Sequence, residues 1–113
     1  LAVAREANSN AVTSILTNLA TAYDNSGNPT KAVEFHQQAI AKQRELGFRG
    51  EEGRALVNLG LVFYRLSQYD KALESYFQAE IILKEVGDRI GEAALMQNLG
   101  LVYSRLGEPR KTL

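Results

Sequence analysis

An all-α fold, built as a stack of antiparallel helix hairpins, is predicted by three observations. The 113-residue chain repeats itself every 40 residues: Asn18, Asn58 and Asn98 coincide, as do Leu19, Leu59 and Leu99, Tyr23, Phe63 and Tyr103, and Lys31, Lys71 and Lys111. A fixed period in this range marks supersecondary units that stack, because one unit alone cannot bury its apolar face. Within each period the apolar residues recur at spacings of three and four, the period of a helix face, and not at two. Glycine and proline fall where helices end and begin, with Gly47 and Gly87 one period apart and Pro29 and Pro109 two periods apart.

The elements follow in order. LAVAREAN (1–8) is similar to IAKQRELG (40–47), offset by 39, and reads as the tail of a preceding unit's second helix. The first helix of the first full unit is expected at about 10–26, capped by Ser9 or Asn10. Asn25-Ser26-Gly27-Asn28 is its turn. A second helix starts at Pro29, whose missing N–H costs nothing in a first turn, and ends at Gly47. In the next unit Leu56, Leu59, Gly60 and Phe63 share one face of a helix expected at about 53–66. A break at Ser67-Gln68 follows. Ala72, Leu73, Tyr76, Ala79 and Leu83 then mark a helix at about 69–86, closed by Gly87. EPRKTL (108–113) opens one more second helix. The whole chain, 1–113, is read as one domain: a tail at 1–8, units at 9–48 and 49–88, and a partial unit at 89–113. It begins at Leu1 and not at Met, as a piece of a longer protein would.

Recurring residue types have a packing reason. Ala20, Gly60 and Gly100 share a slot on the first helix, and Ala32 and Ala72 share one on the second; small side chains there let paired helices approach closely. The aromatic slot Tyr23/Phe63/Tyr103 and the slot His36/Tyr76 are expected to fill the space between units.

Composition narrows the function. Hydrophobic residues make up 45% and charged residues 23%, ordinary for a globular chain. Thirteen basic and 13 acidic residues give a formal net charge of zero, against a general binder of nucleic acid or acidic membrane. There is no cysteine, so no disulfide and no thiolate metal site, which fits a reducing, cytoplasmic setting. No apolar run nears the ~20 residues of a membrane span, and no signal peptide is visible. His36 is the single histidine; without a second metal-ligating residue at suitable spacing, a packing role is expected and no metal or other cofactor. Nothing matches a nucleophile with its base, a carboxylate pair or a phosphate loop, so the chain is not expected to be an enzyme.

The residues Leu59-Gly60, Phe63, Ala72, Tyr76 and Ala79 resemble the signature of the tetratricopeptide repeat, and the likeness covers nearly the whole chain. Two features depart from the usual 34-residue unit. Arg44 and Lys84 stand where its closing proline falls, so the second helix continues about two more turns, to Gly47 and Gly87. This longer form is similar to the repeats of Pins-type spindle-orientation adaptors, kinesin light chains and bacterial regulatory proteins. Thr112 and His36 also replace an alanine and an aromatic. The resemblance implies a right-handed superhelical solenoid whose first helices line a concave surface that takes peptides. The positions it places in that groove include Asn18, Asn58 and Asn98, with Arg54, Leu61, Tyr64, Arg65, Leu101 and Arg105 around them. Ser14, Thr17, Thr21, Asp24 and Asn25 complete the first unit.

The asparagines are the sharpest feature. Asn is a poor helix-interior residue, because its amide competes for local backbone bonds. Two readings fit its recurrence. An amide ladder can hydrogen-bond a peptide backbone with donors and acceptors both, or each Asn can bond the neighbouring unit and fix stacking. Arg65 and Arg105 share a slot at the end of the first helix. They could grip a partner's carboxylate, or complement the helix C-terminus on a solvated face. Arg54 would add to a mildly basic groove. Leu61, Leu101 and Tyr64 would supply apolar contact there, unless the two leucines lie under the next helix. Glu45, Arg49 and Glu52, with their copies Glu85, Arg89 and Glu92, suit a local ion pair and helix-end charge matching.

The expected function is a scaffold that binds a protein or peptide, with no nucleic-acid or membrane partner. The alternatives are a structural spacer in a longer array, able to form homo-oligomers through its uncapped last unit, and a bacterial peptide-sensing array.

Overall fold

The computed structural model describes residues 2–107 of the chain, with side chains over 11–107. They form five α-helices joined by turns of two or three residues: α1 (Ala2–Asn25), α2 (Pro29–Leu46), α3 (Arg49–Arg65), α4 (Tyr69–Val86) and α5 (Arg89–Leu106). There is no strand among the described residues. α1 pairs with α2 and α3 with α4 as antiparallel hairpins; α3 also packs on α2, and α5 on α4 and α3. α2 and α4 begin at 29 and 69 and end at 46 and 86, so the 40-residue period holds at both ends.

The punctuation works as local chemistry dictates. Asn28 caps α2 by accepting from the Lys31 N–H, and Pro29 fills the first turn. α2 and α4 close in the left-handed conformation at Gly47 and Gly87. There the N–H of Phe48 bonds the Gln43 carbonyl (2.8 Å) and that of Asp88 bonds the Leu83 carbonyl (2.9 Å). Within the hairpins, Gly27 (φ 83°) and Ser67 (φ 61°) share one turn slot. Pro109, Lys111, Thr112 and the helix expected at 108–113 lie outside the described residues.

Three details differ from the sequence reading. α1 runs unbroken through 8–10, so neither Ser9 nor Asn10 caps a helix start, and residues 2–8 continue into the same helix. Counted at 40 rather than 39, Ala7 occupies the slot of Gly47 and Gly87, and alanine continues a helix where glycine ends one. α3 begins at Arg49, not 53, because Glu51 and Glu52 in its first turn complement the helix dipole and outweigh Gly50 and Gly53. Tyr23 stacks on Phe35 of its own hairpin, ring centroids 5.4 Å apart, and does not fill a gap between units.

The main apolar cluster joins α2, α3, α4 and α5. Leu56, Leu59, Phe63, Tyr76, Leu83, Leu95 and Val102 are all buried in it, each large side chain contributing about 1.5–3 kcal/mol. Tyr76 sets the α3–α4 distance. A Cβ added at Gly60 would come within 2.4 Å of its ring, so only glycine fits there.

Candidate functional site

α1, α3 and α5 carry the recurring asparagines, Asn18, Asn58 and Asn98 in turn. Asn18 and Asn58 are exposed and Asn98 is half-buried. None of the three side-chain amides makes a hydrogen bond within the chain among the described residues, so the structure shows no stacking bond through them. Two clefts separate α1 from α3. The larger, about 330 Å³, is lined by Thr13, Ser14, Thr17, Asn18, Gln43, Glu51, Arg54, Ala55 and Asn58. The smaller, about 210 Å³, is lined by Thr21, Asp24, Asn25, His36, Asn58, Leu61 and Arg65. Asn58 therefore borders both. The structure brings together Asn18, Asn58, Arg54, Leu61 and Arg65. Asn98, Leu101 and Arg105 lie apart on α5, where Leu101 is 46% exposed. Tyr64 is half-buried at the edge of the apolar cluster, its ring 5.8 Å from that of Tyr69.

The arginines tie one unit to the next. Arg65 donates to Asp24 on α1. Arg105 Nε donates to the Tyr64 hydroxyl at 3.2 Å. Asp24 and Tyr64 are 40 residues apart, so this is one contact repeated. Arg54 Nε and Nη2 donate to the two carboxylate oxygens of Asp88, at 2.6 and 3.1 Å, in the bidentate geometry that suits the guanidinium fork. Asp88 also caps α5 through the Gly91 N–H (2.9 Å). Its carboxyl is held below the usual carboxylate range, first by the Arg54 hydrogen bond and then by the Gly91 N–H. The basic groove expected from Arg54 and Arg65 is thus corrected: Asp88 and Asp24 neutralise both charges in place.

Near the turns, Glu45 pairs with Lys42 (3.5 Å). Arg49 makes the expected local pair with Glu52 (3.2 Å) and also reaches Glu85 on α4 of its own hairpin (2.8 Å). Glu52 is 1% exposed and receives Arg44 as well, at 2.8 Å, so its buried charge is compensated. His36 is buried, as its aromatic slot implied, and burial lowers its pKa against the opposing pull of Asp24. Sequence reasoning missed four residues of the larger cleft, Thr13, Gln43, Glu51 and Ala55. Gln43 was detectable, because it interrupts the apolar pattern at the slot Leu83 fills one period later. Glu51 carried no such signal.

No three His, Cys, Asp or Glu converge on a point among the described residues, and none of their helices is long and apolar enough to cross a membrane.

Residues 51–111, more than half of the chain, match a family model described as tetratricopeptide repeat, and residues 12–47 match a second of the same description. The chain belongs to the tetratricopeptide-repeat family. Its fold is that of the crystal structure of the TPR domain of Arabidopsis FLU, with a TM-score of 0.86 at 19% identity over 92% of this chain and 87% of that one. No curated protein matches the sequence. Tetratricopeptide repeats generally mediate protein–protein interaction and are not catalytic modules. The asparagine row of this tetratricopeptide-repeat chain lies on the first helices of its repeats.

Proposed function

We propose that the chain holds an extended segment of a protein partner along the concave face made by α1, α3 and α5. In this reading Asn18, Asn58 and Asn98 hydrogen-bond the partner's backbone. The observation that carries it is a row of three helix amides, one per unit, with no hydrogen-bond partner among the described residues. Each amide offers donor and acceptor together, which is what an extended backbone presents in turn. Leu61 and Leu101 add apolar contact. Arg54, Tyr64, Arg65 and Arg105 frame the groove through their ties, and the arginine N–H groups that remain can meet the partner's carbonyls. A cysteine-free module of this kind suits the cytoplasm.

The test is a peptide array probed with the native chain and with an Asn18/Asn58/Asn98→Ala variant, with melting curves in parallel. Alanine is the better helix former, so the variant should melt no lower. It should nevertheless lose the peptides the native chain retains. A variant that melts early, or that keeps the same peptides, makes the asparagines stacking residues.

One observation favours the spacer reading beside this one. Phe77, Ile81 and Met96 are exposed at the α4–α5 end, and Met96 occupies the slot of Leu56, which is buried in the preceding unit. A further unit or a second copy would cover that face. Sedimentation across a hundredfold concentration range should then show association.

A further inference from the structure

We propose that the larger cleft between α1 and α3 is a pocket for a primary ammonium, the side chain of a lysine in the bound segment. The inference rests on reading this face as a peptide groove, and adds what the groove selects. Its first support is charge. Glu51 stands exposed on the cleft wall and forms no ion pair or hydrogen bond among the described residues. Arg54, one turn along the same helix, is matched bidentately by Asp88, so that pair carries no net charge. Glu51 lies within electrostatic reach of Arg54, and with Asp88 already matched to that guanidinium the three groups leave one net negative charge at the cleft wall.

The second support is Gln43. It comes from α2, is 3% exposed, lines the cleft, and its Oε1 has no hydrogen-bond donor. A buried amide carbonyl without a donor is unfavourable by about 1–3 kcal/mol. A donor brought by a bound group would relieve that cost. Asn18 and Asn58 add amide oxygens that are also without donors among the described residues, while the Thr17 hydroxyl turns away to the Thr13 carbonyl (2.9 Å). The cleft thus sets three amide oxygens, each beside its own amide N–H group, around the Glu51 carboxylate. An ammonium carries three donors, no acceptor and a positive charge. A volume of about 330 Å³ admits it with its aliphatic stem. An acidic side chain would meet Glu51 and be repelled.

Three arrayed nonapeptide libraries, randomised except for a fixed central lysine, norleucine or glutamate, test this. They are probed with the native chain, Glu51→Gln and the triple asparagine variant. The native chain should retain the lysine library about tenfold over norleucine and reject glutamate, as a charge-assisted hydrogen bond implies. Glu51→Gln should bring lysine and norleucine close to parity with only a small fall in melting temperature, since the residue is exposed and gives up no more than its charge at the α3 N-terminus. Binding that depends on the asparagines but ignores the central residue, or a lysine preference that survives Glu51→Gln, overturns the ammonium pocket and leaves the peptide groove standing. No retention of any library, or equal retention by the asparagine variant, overturns both.

Discussion

His36 and Tyr76 show what a repeat lets a single residue be compared with. They occupy the same position in successive hairpins, and both are buried. The larger ring faces Gly60; the corresponding residue of the first unit is Ala20, so the smaller ring goes with the larger partner. The shared slot was legible from the period alone. That the two units divide the volume differently is a packing fact, visible only with both helices in place. His36 also carries a pH dependence. Burial holds its imidazole below the ordinary 6.5, while Asp24 pulls the other way. The folded chain then binds this proton less readily than the unfolded chain. Its contribution to stability is complete above pH 6.5 and is lost as the pH falls below that value through the folded pKa. Melting temperatures measured from pH 7.5 to 5.5 should therefore decline on the acid side. His36→Gln should flatten the decline, and an equal slope in both proteins would show that other groups govern it.

At the scale of elements, the hairpin turns carry the informative irregularity. Gly27 and Gly107 reach the left-handed region without a Cβ penalty, but the same slot in the middle unit holds Ser67 at φ 61°. A non-glycine residue there costs about 1–2 kcal/mol, and glycine returns about half of that through its larger unfolded-state entropy. Ser67→Gly should raise the stability by about 0.5–1 kcal/mol, read as a higher urea midpoint at constant slope. A lower midpoint would mean that the serine side chain holds the turn. The sequence located this turn correctly, because Ser67-Gln68 interrupts two apolar patterns. It misled at the other end, where an offset of 39 hid that Ala7 stands in a glycine slot, so the break before α1 never forms. Boundaries set by glycine were readable; boundaries inferred from likeness without a breaker were not.

Across the whole molecule, the apolar cluster and the polar ties have different reach. The cluster draws on α2 to α5 and leaves α1 held chiefly through its own hairpin partner. In a linear array each unit is stabilised by its neighbours, so the best-covered helices open last. Hydrogen exchange should be slowest in α3 and α4 and faster in α1; uniform protection would mean that the array opens only as a whole. The ties Asp24–Arg65 and Arg54–Asp88 span 41 and 34 residues and were invisible in the sequence. Their partners do not recur: Asp24 becomes Tyr64, and Asp88 corresponds to Phe48. The candidate asparagines, which do recur, were legible for that reason. The groove's charge was not, because it depends on which acid each arginine meets. The junctions between first helices are also unequal: α5 packs directly on α3, whereas α1 stands off from it across two clefts. A regular row of identical rungs would let a bound strand slip by one unit and find the same surroundings. Here the two gaps differ, so a strand held as proposed above would meet the wrong spacing when shifted or reversed, and such a face would select one direction and one frame.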